Sequence, residues 1–169
     1  MRTPNEIRAF EELYRSYAVD VFRFSLYLSG NRAVAQDVTS ETFVRAWTAK
    51  EPVRTATAKA YLFAIARNVY LSSRRRRVPE IEVPDMLASP DNQADSYNHR
   101  TELAATLEDL TLVAEGDRTA LVMAVFEEMS YDEVGRALGI SVGAVKARVF
   151  RARMRLIELR DQKAHRRTP

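Results

Sequence analysis

The stretch SYDEVGRALGISVGAVKARVFRARMR, residues 130–155, predicts two short helices joined by a tight turn. Ser130 and Glu133 have the spacing of a capping box, in which two side chains satisfy free backbone N–H groups where a helix begins. Gly139 favours the end of that helix, because glycine takes the left-handed backbone conformation without a steric penalty. Ser141 can then cap the second helix. Two caps separated by a turn glycine in this order predict a helix-turn-helix.

The second helix of this pair has two chemically different sides. Its apolar residues recur at steps of three and four from Val142 to Leu159, which predicts one buried stripe. The opposite side carries small residues and then arginines, and arginine can contact phosphates or guanine edges in the major groove. We therefore expect this helix to bind duplex DNA, although a basic amphipathic helix can also be no more than a solvated surface. The small and basic residues of this side are Ala144, Ala147, Arg148, Arg151 and Arg155.

Composition excludes several classes of protein. The chain has 169 residues, 46% of them hydrophobic, which is enough for one or two small globular cores. It has no cysteine, so neither a disulfide framework nor a thiolate metal site can form. No apolar run is long enough to span a membrane, and the N-terminus lacks the uncharged apolar segment of a signal peptide. We therefore expect a cytoplasmic protein with no membrane insertion.

The sequence also lacks the patterns of catalysis and of metal binding. The two histidines, His99 and His165, have no neighbour at ligand spacing, and no serine lies in a nucleophile motif. Catalysis needs a convergent set of nucleophile, base or metal ligands. The sequence therefore predicts no enzymatic activity, no bound metal and no cofactor.

The distribution of charge is more informative than its total. The net charge is only +3, yet residues 141–169 hold nine Lys or Arg against two acids. Residues 67–77 hold five arginines and no acid, whereas residues 80–98 hold five acids and no Lys or Arg. Two basic blocks separated by an acidic stretch indicate two sites that contact one polyanion.

Three amphipathic helices are predicted in the first half of the chain, and together they can enclose one small core. In the first helix apolar residues recur at steps of three and four from Ile7 to Leu28, which is a strong helical pattern. Gly30 ends this run, and Asn31 can cap the next helix. The three predicted helices are residues 5–29, 32–49 and 57–75.

The second half is predicted to be a separate domain. Residues 78–98 contain three prolines and no periodicity, which predicts a flexible linker. Helices near 100–112 and 117–128 then precede the helix-turn-helix, giving a domain of four helices. The fold class is therefore all-α, with two small helical domains joined by a flexible linker. The predicted domains are residues 1–77 and 100–163, with the linker at 78–99 and a basic tail at 164–169.

The third helix interleaves aromatic and basic residues. Tyr61, Phe63 and Tyr70 alternate with Arg67, Asn68 and the run from Arg74 to Arg77. Aromatic rings beside cations suit separated nucleic-acid strands, because bases stack on rings at about 1–3 kcal/mol each. In the alternative interpretation the aromatics belong to the core and the arginine run is a solvated helix end. The sequence leaves both interpretations open.

The second helix carries a polar stripe that is separate from its apolar side. Phe43 belongs to the apolar side. Asp37, Glu41, Val44 and Thr48 recur at helical spacing on this stripe. It can dock a partner helix through acidic and apolar contacts. On composition alone, an ordinary exposed face is the better interpretation.

Taken together, these segments resemble the bacterial sigma factors of the extracytoplasmic-function group, in the sigma-70 family. In the first domain the resemblance is carried by FEELYRSYAVDVFRF, AQDVTSETFVRAW and AYLFAIARNV. In the second domain it is carried by MSYDEVGRALGISVGAVKARVFRARMRL. The two regions follow each other in the family's order, with a short linker between them.

The resemblance implies that the chain works with core RNA polymerase, promoter DNA and an anti-sigma factor. The first domain would dock on the polymerase and melt the −10 element, and the second would read the −35 element as duplex. The implied polymerase-docking residues are Asp37, Ser40, Glu41 and Val44. The implied contacts to the melted strand are Tyr61, Arg67, Asn68, Arg74 and Arg75. The implied contacts to duplex DNA are Ser141, Lys146, Arg148, Arg151 and Arg155.

The sequence departs from the family pattern at four positions. Ser40 replaces the usual glutamine of the docking motif, and Ser72 replaces a common aspartate after the third helix. Ala144 and Ala147 replace a frequent threonine and serine of the recognition helix. These two changes remove hydroxyl groups that could bind phosphates or bases, so the promoter sequence of a relative cannot be transferred to this chain.

Two other functions compete with that of a sigma factor. A self-sufficient regulator could use the same helix-turn-helix, but it would need a ligand pocket, a phosphoacceptor site or a dimerisation element in the first domain. An enzyme acting on nucleic acid would need acidic or histidine clusters at metal spacing. The sequence shows none of these features.

Overall fold

The computed structural model describes residues 2–49, 58–76 and 95–167, and these residues form helices and no strand. The all-α prediction is therefore confirmed. The helices of the first half are α1 (Pro4–Ser29), α2 (Arg32–Thr48) and α3 (Ala58–Arg76). Those of the second half are α4 (Asp95–Thr111), α5 (Glu115–Leu121) with a π-helical turn at Val122–Phe126, α6 (Tyr131–Leu138) and α7 (Val142–Arg167). No helix of the described part is long and apolar enough to cross a membrane.

Helices α1, α2 and α3 share one core, as predicted. Phe24 of α1 stacks on Phe63 of α3 with ring centroids 4.4 Å apart and planes 7° from parallel. The turn between α1 and α2 is short, because Gly30 has a left-handed φ of 66° and Asn31 accepts a hydrogen bond from the N–H of Val34. This turn makes α1 and α2 antiparallel neighbours.

The stripe on α1 is buried only in its second half. Val21, Phe24 and Leu28 are fully buried, whereas Ile7 and Tyr14 are exposed. The C-terminal end of α2 still contacts this part of α1, since the rings of Tyr14 and Phe43 have centroids 4.8 Å apart and those of Phe10 and Trp47 4.7 Å.

The helix-turn-helix forms as its capping residues predict. The Ser130 hydroxyl accepts a hydrogen bond from the N–H of Glu133 (3.2 Å), whose carboxylate accepts one from the N–H of Ser130 (2.8 Å). Gly139 ends α6 with a φ of 66°, and the Ser141 hydroxyl accepts a hydrogen bond from the N–H of Ala144 (3.1 Å). The buried stripe of α7 packs this pair on α5. Its fully buried members are Val145, Val149 and Ala152.

Some helix boundaries differ from the predicted ones. In the described residues helix α4 runs from Asp95, inside the predicted linker. Helix α7 continues to Arg167 through the predicted tail, and Lys163 anchors this end by an ion pair with Asp109 (2.5 Å). The rest of the predicted linker, residues 78–94, lies outside the described residues. The division into domains stays a prediction.

The two halves of the chain contact each other directly. Helix α6 packs against α3, and α4 and the π-helical turn pack against α1. The predicted helix at 117–128 begins earlier, at Glu115, and widens into the π-helical turn, for which the sequence carries no signal. This turn delivers Glu127 to the surface of the first half.

Candidate nucleic-acid and polymerase interfaces

The predicted duplex-reading side of α7 is partly covered by α5. Arg151 donates hydrogen bonds from Nη2 and Nε to the two carboxylate oxygens of Asp117, at 2.7 and 3.0 Å. Arg148 is half-buried and lies over Gly116, where an added Cβ would be 3.1 Å from its Nη1 atom. Helix α5 therefore holds two of the predicted DNA contacts.

The other predicted contacts on α7 face the solvent. Lys146 is exposed, and Arg155 is exposed with a weak ion pair to Glu158 on the same helix (3.3 Å). Ser141 is also exposed, but its hydroxyl is engaged in capping the helix. Lys146 and Arg155 could each contact a different phosphate.

Helix α7 also exposes an apolar stripe that the sequence reasoning missed. Phe150, Met154 and Ile157 are 64%, 41% and 50% exposed. They lie four and seven residues apart, so they share one face of the helix, away from the buried stripe. The same helical spacing that marked the buried stripe was the signal in the sequence.

The predicted strand-contacting residues of α3 divide into two groups. Asn68, Arg74 and Arg75 are exposed, and Tyr61 is half-buried. Arg67 is not free, because its Nε and Nη2 atoms donate to the two carboxylate oxygens of Glu115, both at 3.0 Å. The predicted set is thus on one helix, but one member is bound by the second half of the chain.

The core interpretation holds for two of the aromatic residues of α3. Phe63 has no exposed surface, because it stacks on Phe24. Tyr70 is 6% exposed, and its hydroxyl accepts a hydrogen bond from Nη2 of Arg118 (3.4 Å). Neither ring can stack on a base in this arrangement.

The polar stripe on α2 forms one wall of a groove. Asp37, Ser40 and Val44 are exposed, Val44 by 55% of its surface, and Phe43 is buried as predicted. Glu41 is half-buried and accepts a hydrogen bond from Nε of Arg45 (2.7 Å). The groove has a volume of about 510 Å³. Its opposite wall, which sequence reasoning missed, consists of Val69, Ser72, Ser73 and Arg76 of α3.

A cluster of ion pairs joins the two halves of the chain. The Glu127 side chain is 0% exposed, and its carboxylate accepts hydrogen bonds from Nη2 and Nε of Arg23 at 2.6 and 2.7 Å. Nζ of Lys59 donates to the Glu127 backbone carbonyl (2.8 Å) and lies 3.5 Å from its carboxylate. Asp20 lies 2.9 Å from Arg23 on the same helix. No local pattern in the sequence indicates these contacts.

Arg118 is a second cation at the boundary between the halves. It is 3% exposed and donates a hydrogen bond to the backbone carbonyl of Leu110 (3.2 Å). Its Nε atom is buried without a hydrogen-bond partner. Burial lowers the pKa of Arg118 from its ordinary value, because the charged form loses solvation.

These surfaces carry no cluster of metal-ligating side chains in the described part of the chain. Within residues 2–49, 58–76 and 95–167, no group of three or more histidine and acidic side chains could hold a metal ion. The described residues present three surfaces. The α6–α7 helix-turn-helix has exposed cations, α3 has exposed cations and the amide of Asn68, and the groove between α2 and α3 has Asp37 and Glu41 in one wall. Each of them suits a macromolecular partner.

Comparison with known proteins assigns these regions to one family. Residues 13–79 match the sequence model of sigma-70 region 2, and residues 110–156 match that of sigma-70 region 4. The ECF RNA polymerase sigma factor SigM of Bacillus subtilis is 30% identical over 149 residues, which cover 86% of this chain and 91% of SigM. The sigma factor SigE of Mycolicibacterium smegmatis is 32% identical over 156 residues, which cover 88% of this chain and 60% of SigE.

Solved structures give the same picture of the fold. CnrH, solved in complex with the cytosolic domain of CnrY, is 29% identical and superposes with a TM-score of 0.70 over 92% of this chain and 89% of that one. RpoE from Bartonella quintana, solved with the anti-sigma factor NepR, shares the fold at a TM-score of 0.68 and 23% identity, over 91% of this chain and 98% of that one. Regions 2 and 4 in this order set aside the alternative of a self-sufficient regulator. The chain belongs to the ECF group of the sigma-70 family and is an alternative sigma factor, which directs promoter-specific transcription.

Proposed function

We propose that the two halves of this sigma factor share promoter recognition, with α3 opening the −10 element and α7 reading the −35 element as duplex. The observation that carries the proposal is that the chain has two separate basic surfaces of different chemistry. Helix α7 offers exposed cations within a helix-turn-helix, the arrangement that places a helix in the major groove. Helix α3 offers exposed Asn68, Arg74 and Arg75.

The duplex-reading surface consists of contacts of two kinds. Lys146 and Arg155 are placed to contact phosphates, which fixes the register of the helix on DNA without reading sequence. Arg148 and Arg151 lie on the same side of α7, and an arginine can make a bidentate contact to guanine. The two arginines must leave Gly116 and Asp117 to do so. Ser141 holds the start of the helix.

The polymerase-docking surface is the acidic wall of the groove between α2 and α3. Asp37 and Glu41 offer negative charge, and exposed Val44 offers an apolar contact. Ser40 lies between them in the sequence and adds a small polar group. Arg45 and Arg76 also line the groove, so it fits a helix of core RNA polymerase that presents basic residues to the wall of Asp37 and Glu41.

The protein acts by binding, without enzymatic activity, in the cytoplasm where core RNA polymerase and promoter DNA are. RpoE of Bartonella quintana was solved with an anti-sigma factor, and CnrH was solved with the cytosolic domain of CnrY. We expect this chain likewise to be held inactive by an anti-sigma protein.

Permanganate footprinting with holoenzyme tests the division of labour between α3 and α7. Asn68→Ala should reduce strand opening on a duplex promoter, and a promoter with a pre-melted bubble should rescue it. Arg148→Ala removes a duplex contact that contributes about 1–3 kcal/mol of discrimination, so the bubble should not rescue it. Arg8→Ala, an exposed arginine on α1, is the control. Equal rescue of both variants, or of neither, would show that the assignment is wrong.

A further inference from the structure

The second half of the chain lies on a face of α3 that holds two of the predicted melted-strand contacts, Arg67 and Arg74. Lys59, Phe63, Arg67, Tyr70 and Arg74 follow one another at steps of four, four, three and four residues, so they share one face of the helix. Glu115 and Arg118 of α5 contact this face at Arg67 and Tyr70, and Glu127 contacts it at Lys59. The second half therefore binds Lys59 and Arg67 of this face, whereas Arg74 stays exposed.

Carboxylates of the second half form ion pairs with Lys59 and Arg67 of this face. Glu115 forms two hydrogen bonds of 3.0 Å with Arg67, and Glu127 forms two of 2.6 and 2.7 Å with Arg23, which adjoins the face from α1. An arginine binds a carboxylate and a phosphate through the same two-pronged geometry. Each carboxylate thus lies where two oxygens of a DNA phosphate could bind.

The charge balance of the first half favours a polyanion once these carboxylates leave. Arg23, Lys59 and Arg67 are then three cations against one neighbouring acid, Asp20, which lies 2.9 Å from Arg23 and 3.8 Å from Lys59. Asp20 is on α1 and stays with the first half. The face keeps an excess of positive charge, so phosphates are the ligand that it suits.

We propose that Arg23 and Lys59 bind phosphates of the separated promoter strand and so extend the strand-contacting surface beyond Arg67. In the closed chain, in which the second half packs on the first, Glu127 binds Arg23 and Lys59, and Glu115 binds Arg67. The inference rests on the proposed role of α3 in holding the melted strand. Packing of the two halves and binding of the strand therefore compete for Arg23, Lys59 and Arg67. The affinity of the free chain for single-stranded DNA is then reduced in proportion to the fraction of molecules that are open.

The first experiment opens the full-length chain by removing two charges. The chain has no cysteine, so Ser16→Cys and Gln162→Cys give two exposed labelling sites for energy transfer between the halves. Glu115→Gln with Glu127→Gln should lower the transfer efficiency and tighten binding of a mixed-sequence single-stranded oligonucleotide about tenfold. Glu102→Gln, an exposed acid on α4, is the matched control. If the double variant is unstable, Glu115→Gln alone replaces it, because Glu115 is less buried than Glu127. The single variant should also lower the transfer efficiency and tighten strand binding.

The second experiment asks whether Arg23 and Lys59 contact the strand themselves. In the opened variant, Arg23→Gln with Lys59→Gln should weaken strand binding and lower the slope of log affinity against log salt by about 1.4, the value for two phosphate contacts on a single strand. Arg8→Gln with Arg15→Gln, both exposed on α1, should change the slope less. The proposal is overturned if the opened variant binds the strand no tighter, or if removing Arg23 and Lys59 leaves the salt slope unchanged. Failure of transcription with core polymerase would count against the proposed function instead, since strand binding is measured without polymerase.

Discussion

Asp37 and Glu41 are the residues whose role is simplest to test, since they lie one helical turn apart and outside the core. Their exchange for arginine leaves the buried side of α2 unchanged. It replaces the Glu41–Arg45 ion pair, an i, i+4 helix pair of about 0.3–0.5 kcal/mol, with a repulsion of similar size. The side chains therefore matter mainly for what they meet on a partner.

Asp37→Arg with Glu41→Arg should abolish binding to core RNA polymerase while the protein stays folded. Charge reversal places cations against the basic polymerase surface that the groove is proposed to accept. Pull-down of core polymerase measures the effect, and far-UV circular dichroism checks the fold. Glu11→Arg with Glu12→Arg makes the same change of charge on the exposed side of α1. Unchanged pull-down by the Asp37 and Glu41 variant would eliminate this surface.

The pKa of Glu115 makes closure of the chain dependent on pH. Burial raises this pKa, but hydrogen bonds from Arg67 and Thr119 outweigh burial, so it lies below the ordinary value of 4.5. The charged form is therefore favoured in the folded chain. Its contribution to stability is complete above the ordinary pKa and is lost as the pH falls through the lowered one.

The free energy of unfolding should show this dependence when Glu115→Gln is compared with the natural sequence. The variant should be less stable at about pH 6, and the difference should shrink as the pH falls to about 3. Urea denaturation across this range measures the difference. A difference that stays constant with pH would mean that the Glu115 charge does not contribute.

Residues that act locally could be predicted from the sequence, and residues that act across the fold could not. Ser130 and Ser141 cap helices through neighbours three residues away, and a helix imposes that spacing. Glu127 meets Arg23 from 104 residues away, and Glu115 meets Arg67 from 48. These pairs depend on how the two halves pack, which no periodicity in either partner specifies.

At the scale of elements, the α6–α7 pair depends on two glycines for different reasons. Gly139 has a φ of 66° with open space around it, so a side chain there costs about 1–2 kcal/mol of backbone strain and meets nothing. Gly135 has ordinary helical geometry, but an added Cβ would lie 2.8 Å from the backbone carbonyl oxygen of Ile140. Backbone cannot move aside as a flexible side chain can.

A comparison of Gly135→Ala with Gly139→Ala should therefore distinguish backbone strain from a displacement of α6 relative to α7. Both should lower the free energy of unfolding in urea, Gly135→Ala by about 1–3 kcal/mol, as for an overpacked site. Only Gly135→Ala should also impair use of the −35 element by holoenzyme, because the clash shifts α6 relative to α7. Equal loss of −35 use by both variants would contradict this account of the turn.

Periodicity identified the helices better than it identified their burial. Ile7 belongs to the periodic apolar residues of α1 and is 44% exposed, because helical spacing alone carries no information on which side chains a neighbour covers. Phe150 of α7 has the spacing of a core residue and is 64% exposed. The π-helical turn at Val122–Phe126 follows from packing, and local propensity gives no sign of it.

At the scale of the whole molecule, the order of the two regions decides the function. Region 2 followed by region 4 was predictable, because each region carries its own local motifs. Contact between the halves was not predicted, and in that contact Arg67 of α3 is bound to Glu115 of α5. In this state α5 holds Arg67, Arg148 and Arg151, so we expect the free chain to bind DNA weakly and to need polymerase to fix the halves in register.

Run-off transcription on a genomic promoter library, with core polymerase and with or without this protein, tests the central claim most directly. We predict discrete promoter-specific transcripts only when both are present. Gel shifts on the same promoters should show tight, sequence-specific binding only after core polymerase is added. Nanomolar specific binding by the free protein, with transcripts that do not change when it joins core polymerase, would contradict the account.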